Sequence, residues 1–272
     1  MARRRLVQNE SEIMSIQACA EIVQKGDEDR FRATMAAPVA AREVLFPIHA
    51  FCLEVAKAPW VTKESMIAEM RLQFWRDVLT EKTEGKAPRA HEVAAPLAAV
   101  LDAASAEALD ATVTARQWDI YRDPHEDAAA LYRYLHATYT IPLHVAARLL
   151  GAPDTASKAL NSLGQAGALA RYFMAIPALV DAGRVPLLDG RPDAVATLAK
   201  ATLEQARWGA QQLSKLGKSA RAPMMDAVMM LPILRQAAKD PSAVLDGRLK
   251  QGPARKSLRL ALASQSPTWG VF

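Results

Sequence analysis

Cysteine is nearly missing: Cys19 and Cys52 are the only two in 272 residues. A chain this long buries enough surface to hold together without cross-links, so a disulfide scaffold is excluded and a reducing compartment is expected. Phe and Tyr number only 6 and 5, and runs alternating apolar with polar residues are absent, which argues against sheets. Glycine (12) and proline (16) are too few for a collagen-like or low-complexity chain. The opening Ala2-Arg3-Arg4-Arg5 turns polar at Gln8-Asn9-Glu10 without the apolar stretch of a signal peptide, so secretion is not expected. The longest near-apolar window, Val44 to Leu53, contains Pro47 and His49 and is about half the length that a bilayer requires. No membrane span is expected.

What the chain does have is alanine, 54 residues of it, the best helix former. Apolar residues recur at helical spacing, as in Ile67, Met70, Phe74 and Val78, with Trp75 and Leu79 widening the stripe. Punctuation at Lys57-Ala58-Pro59, Asp123-Pro124, Gly151-Ala152-Pro153-Asp154, Asp181-Ala182-Gly183, Gly190-Arg191-Pro192 and Gly217 divides it into about nine or ten helices. They are expected near 11–25, 38–56, 62–83, 96–109, 111–122, 126–150, 155–174, 193–216, 224–238 and 254–263. Thr83 to Pro88 should be the least ordered stretch. The expectation is one all-α domain over 1–272, with a flexible N-terminus at 1–10. Net charge is +5 with a pI of about 9.3. That permits attraction to anionic lipid or nucleic acid without requiring either, and no nucleic-acid partner is expected. The excess gathers at Arg248, Lys250, Arg255, Lys256 and Arg259 with no intervening acid, so the segment 248–272 reads either as a solvated basic face or as a contact for an anionic surface.

Candidate chemistry is sparse. His136 and His144 are eight apart, about 12 Å along a helix, too far to share a zinc ion, and no H-E-x-x-H or C-x-x-C spacing occurs. Phosphate-loop and G-x-S-x-G patterns are also missing. Gly164 and Gly167 with Ala168 lie in a helical stretch, where they suit close helix packing. Asp119 and Asp123 share the D-x-x-x-D spacing that can hold a divalent ion, but Pro124 makes Asp123 read as a helix stop. Asp77 and Glu81 have the same spacing and read as a solvated face beside Arg76 and Lys82.

Three stretches carry a family resemblance: Gly26-Asp27-Glu28-Asp29-Arg30-Phe31, Leu45-Phe46-Pro47-Ile48-His49-Ala50-Phe51-Cys52 and Glu69-Met70-Arg71-Leu72-Gln73-Phe74-Trp75-Arg76-Asp77. Further on come Tyr132-Arg133-Tyr134-Leu135-His136-Ala137-Thr138 and the segment from Gly164 to Leu187, closing with Gly183-Arg184-Val185-Pro186-Leu187. In this order they resemble the squalene/phytoene synthases, specifically the divergent bacterial branch and the related mitochondrial complex I assembly factor. The resemblance implies an isoprenoid-synthase-like helical bundle with a central apolar cavity. In active members two helices carry aspartates whose Mg²⁺ ions clamp a prenyl diphosphate as its carbon–oxygen bond ionises.

Counting on from Ala50-Phe51-Cys52, the first acidic motif should fall on Ala56, Lys57 and Trp60. Counting back from Gly183-Arg184, the second should fall on Arg171, Ala175 and Leu179. None is a carboxylate. The resemblance therefore implies a non-catalytic relative, with no metal or cofactor expected, that binds an isoprenoid, quinone-like or lipid molecule or helps assemble a respiratory complex. Its expected place is cytoplasmic or peripheral on the inner face of a membrane. Phe51, Lys57, Trp60, Tyr132, His136, Arg171 and Tyr172 are the expected cavity residues, and Lys57 and Arg171 could meet an anionic head group where a metal would otherwise stand. The same residues would also suit an ordinary helical core, with both cations turned to solvent or paired with acids. The rival is a working head-to-head prenyltransferase that uses Mg²⁺ held by Glu54, Asp119 and Asp123. A purely structural module with a filled cavity is the third reading.

Overall fold

A computed structural model of the chain describes residues 16–121 and 123–265. The expected flexible segment 1–10, the start of the 11–25 helix and the end of the basic segment lie outside them. Of the described residues 77% are helical, and none is in a strand. It divides into two compact units, Met1–Ile120 and Tyr121–Phe272.

The first unit holds α1 (16–26), α2 (Glu28–Met35), α3 (Val39–Lys57), α4 (Ser65–Thr83), α5 (Ala94–Val100) and α6, which runs from Ala103 to Tyr121. The spacing of apolar residues misses α2, because Asp27-Glu28-Asp29 looks like loop chemistry. Asp27 is in fact an N-cap, its carboxylate accepting the Arg30 N–H at 3.0 Å, and Glu28 and Asp29 sit in the first turn where the helix dipole favours them. The break expected near residue 110 falls instead at 101–102. Asp102 caps α6 by accepting the Ser105 N–H at 2.8 Å, while Asp110 inside the helix pairs with Arg76 at 2.9 Å. Asp77 and Glu81 lie on a partly solvated face where Arg89 bridges both, at 3.4 and 2.8 Å, and its guanidinium lies 5.2 Å from the Phe74 ring centroid. α3 packs on α2, α4 and α5. Neither cysteine is in a disulfide, and both are buried.

The second unit is built on α9 (Ser157–Asp181). Packed on it are α7 (Ala128–Leu135), α8 (Ile141–Leu149), α10 (Pro192–Leu213), α12 (Met224–Lys239) and the short α13 (Ser242–Leu245). The short α11 (Lys218–Arg221) touches α8, and α14 (Pro253–Gln265) lies on α12. The helix expected at 126–150 is continuous but widens over His136–Thr140 into a π-helical turn, the Ile141 N–H donating to the His136 carbonyl five residues back. Pro142 follows directly and has no N–H for the carbonyl of Thr138, so the normal ladder is broken there in any case. α9 continues seven residues past the expected 174, through Pro177. It closes where Gly183, at φ +76, and Arg184 donate to the carbonyls of Val180 and Leu179, a Schellman ending. The stretch Asp154–Asp181 is long and apolar enough to cross a membrane, yet 67% of its most apolar window is buried within the protein, as a core helix would be.

Candidate functional site

Small residues on α9 bring the π-helical turn close. A Cβ on Gly164 would stand 2.8 Å from the Thr140 methyl, and one on Gly167 would stand 2.6 Å from the Tyr139 hydroxyl, so only glycine admits the turn at this distance. The close-packing reading of this pair is what the geometry shows. It delivers Tyr139 to a buried polar cluster one turn further along α9. There Arg171 donates to one carboxylate oxygen of Asp226 from α12, and the Tyr139 hydroxyl donates to the other at 2.8 Å. Asp226 is 4% exposed, and the Arg171 guanidinium lies 5.9 Å from the Tyr139 ring centroid. A carboxylate so far from water requires such donors to stay ionised. Arg171 therefore pairs with an acid of its own chain rather than presenting an uncompensated cation.

A second polar group sits nearer the start of α9. His136 Nε2 lies 3.2 Å from Asn161 Oδ1, and its ring stacks on Tyr132 at 6.1 Å. Gln165 accepts from the Thr140 hydroxyl and donates to the Tyr132 carbonyl, each at 3.3 Å. His144, although eight residues from His136, faces the same asparagine: burial first, then the neighbouring His136, push its imidazole below the ordinary value, with Asn161 opposing. Tyr132, Asn161 and Gln165 line a groove of about 630 Å³ together with Lys158, Ser162 and, from α10, Glu204, Gln205 and Trp208. A neighbouring groove of about 370 Å³ shares Lys158 and Trp208, whose ammonium-to-ring distance is 5.3 Å.

The remaining residues singled out in the sequence are more scattered. Tyr172 is buried, its hydroxyl donating to the Pro186 carbonyl at 2.7 Å. Ala175 is exposed on α9 and Leu179 is buried. In the first unit Phe51 is fully buried and meets Trp75 edge-on at 5.4 Å. Ala56 is half-buried, Lys57 pairs with Glu54 at 3.4 Å, and Trp60 is 48% exposed. Asp119 is buried and pairs with Arg116 at 3.0 Å, whereas Asp123 is exposed beyond the end of α6. Among the described residues, no three His, Cys, Asp or Glu side chains gather in a way that could hold a metal ion. Sequence reasoning missed Asp226, Asn161 and Gln165. Asp226 had a usable signal, since it stands alone in Met224-Met225-Asp226-Ala227-Val228-Met229-Met230, and a lone acid in a buried run requires a partner.

Known proteins similar to this chain can be set beside that geometry. The family model for squalene/phytoene synthase matches residues 23–187, more than half of the chain and parts of both units. An assembly factor 6 homolog of NADH dehydrogenase (ubiquinone) complex I from Drosophila melanogaster is 28% identical over 170 residues. That match covers 58% of this chain and 50% of that protein, so the chain spans about half of its relative's length. A dehydrosqualene synthase solved in complex with ligand superposes with a TM-score of 0.76 at 15% identity, over 94% of this chain and 97% of the other. Squalene synthase HpnC from Alicyclobacillus acidocaldarius gives 0.66 at 14% identity, over 87% and 95%. At those identities the likeness is one of fold, all-α and of the isoprenoid-synthase type.

Proposed function

The chain belongs to the squalene/phytoene synthase family, and we propose that it is a member that binds an isoprenoid, quinone-like or lipid molecule without ionising a diphosphate, in the service of assembling a membrane respiratory complex. The observation that carries this reading is the pairing of Arg171. Counting from Gly183-Arg184, Arg171 stands where the resemblance puts the first metal-binding residue of the second acidic motif, and its charge is taken up by Asp226. The six motif positions hold two cations, Lys57 and Arg171, and no carboxylate. Mg²⁺ requires oxygen donors in near-octahedral order, so this donor set does not suit it. Each lost metal contact to a departing diphosphate would cost several kcal/mol, and about 1.4 kcal/mol is a factor of ten in rate. No catalytic step is therefore assigned to these residues. The assembly function is supported by the likeness to the complex I assembly factor homolog, and a cytoplasmic chain resting peripherally on the inner face of a membrane fits it.

Two measurements on the purified full chain test the reading. Farnesyl or geranylgeranyl diphosphate with Mg²⁺ should release no pyrophosphate above a no-protein control, and native mass spectrometry should show a co-purified apolar molecule. Release of pyrophosphate that is lost on substituting Glu54, Asp119 or Asp123 would establish the prenyltransferase reading in its place.

A further inference from the structure

Two grooves of the second unit meet at Lys158 and Trp208, and the Arg171 cluster uses neither. They follow the seam between α9 and α10, which run antiparallel: the larger reaches Gln165 and Glu204, the smaller Pro153 and Leu216. Gly209 sets how near the two helices come, since a Cβ there would stand 2.8 Å from the Ala159 carbonyl oxygen. The larger groove carries one charge of each sign. Lys158 is at the junction, its ammonium 5.3 Å from the Trp208 ring centroid. A ring face leaves an ammonium with N–H donors to spare, since it has three. Glu204 is one turn before Trp208 on α10, toward the end where Gln165 donates to the Tyr132 carbonyl. Among the described residues neither Lys158 nor Glu204 is in an ion pair. Uncharged Asn161 and Ser162 lie between them, and α9 rises about 10 Å from Lys158 to Gln165. Tyr132 and Trp208 present rings that are 49% and 39% exposed, and His136 stacks on the first. Beyond the junction the smaller groove turns apolar, with Pro153, Ala156, Leu213 and Leu216.

We propose that the two grooves together bind a zwitterionic lipid. Its phosphate meets Lys158 at the junction, and its ammonium, two carbons further into the larger groove, meets Glu204 and the Tyr132 ring. Its chain runs over Trp208 into the smaller groove. Other ligands leave a charge unanswered. A nucleotide or a prenyl diphosphate brings several negative charges to a groove whose own charges cancel, and sets them against Glu204. A neutral sugar would stack on the rings yet leave Lys158 and Glu204 desolvated without a partner. A zwitterion answers both charges, and an ammonium over an aromatic face gains from the ring quadrupole. This narrows the lipid part of the proposed function to one headgroup class and rests on that part.

The test is calorimetric titration of the full chain with lysophosphatidylcholine and lysophosphatidylethanolamine, each below its micelle concentration. The comparison is lysophosphatidate, which has the phosphate and the chain but no ammonium. At least one zwitterion should bind about tenfold more tightly than lysophosphatidate, as one charge-assisted contact implies, and the ratio of the two distinguishes a choline from an ethanolamine headgroup. Glu204→Gln should erase that margin, and Lys158→Met should weaken all three lipids by about tenfold. Arg191→Gln, in a surface loop where Arg191 is paired with Asp189, should leave binding within twofold. Glu204 is exposed, so its variant should melt with wild type, and thermal melts report the folding of each. Lysophosphatidate binding as tightly as both zwitterions, or tighter binding of adenosine monophosphate or maltose, would overturn the proposal. Zwitterion binding untouched by both groove substitutions would overturn the site yet leave lipid binding standing. Should none of the three lipids bind while an apolar molecule still co-purifies in native mass spectrometry, the headgroup class alone is overturned; should nothing co-purify either, the lipid reading falls with it.

Discussion

The end of α3 and the middle of α9 are the two places that the resemblance marks for diphosphate-binding acids, and the protein treats the charges there in opposite ways. On α3, Lys57 pairs with Glu54 at 3.4 Å, the two side chains 47% and 33% exposed, and Trp60 stands partly in water. Solvent holds that charge. On α9, Arg171 is bound to Asp226, whose side chain is 5% exposed and which also takes the Tyr139 hydroxyl. The protein itself holds that one. A site whose charge is neutralised by the fold cannot give it up without a loss of stability, so the α9 position is structurally committed and the α3 position is not.

The sharpest way to break this comparison is Asp226→Ala. It leaves the Arg171 guanidinium and the Tyr139 hydroxyl without their shared acceptor. The expected loss is about 3 kcal/mol, at the lower end for a broken buried pair because Arg171 keeps some solvent access. Chemical denaturation measures it. Replacing both partners by apolar residues, Arg171→Met with Asp226→Leu, should cost less than Asp226→Ala alone, because no charge is then stranded. If the double substitution proves worse, the pair contributes net stability rather than merely compensating itself.

Next in size is the approach that delivers Tyr139. Gly167→Ala places a methyl 2.6 Å from the hydroxyl and 2.8 Å from two ring carbons, and a rigid ring cannot fold out of the way as a flexible chain can. Overpacking of this kind costs about 1–3 kcal/mol. Gly26→Ala in the first unit meets only the tip of Leu53 at 3.0 Å and should cost visibly less. Equal losses at the two glycines would mean that the contact between α9 and the π-helical turn is no tighter than ordinary packing.

The acid limb of stability comes third. His144 has its imidazole pushed below the ordinary value near 6.5, by burial and then by His136, so the unfolded chain binds that proton more readily. Stability from this source is complete above about pH 6.5 and is lost as pH falls through the lower folded value. His144→Gln should flatten the fall in melting temperature between pH 7 and pH 5. An unchanged slope would place the acid sensitivity elsewhere.

How legible this was in the sequence depends on whether the signal was local. Helix content followed from alanine and from apolar spacing, and the close approach at Gly164 and Gly167 from two glycines in a helical pattern. The α2 helix was missed because Asp27-Glu28-Asp29 serves equally as loop and as cap, and the position of the neighbouring chain decides between them. The break near residue 110 was misplaced for a similar reason, as the partner of Asp110 is Arg76 on another helix. Of the candidate site, the identities at 171, 175 and 179 were countable, but the partner of Arg171 lies 55 residues away on α12, and no spacing rule reaches that far. The π-helical turn was equally hidden, since Pro142 announces a disturbance in the ladder without saying how it is resolved.

The smallest expected effect completes the comparison. Lys57→Ala removes one member of an exposed ion pair, and such pairs are worth about 0.2–1 kcal/mol, less in salt. The loss should fall within that range at low ionic strength and shrink further at 0.5 M salt, where the Debye length falls to about 4 Å and exposed charges are strongly screened. Arg171→Ala should show no comparable relief, because salt does not enter the site of Asp226. A loss above about 2 kcal/mol for Lys57→Ala, insensitive to salt, would mean that the end of α3 is as tightly wired as α9, and the distinction between a charge held by solvent and one held by the fold would fail.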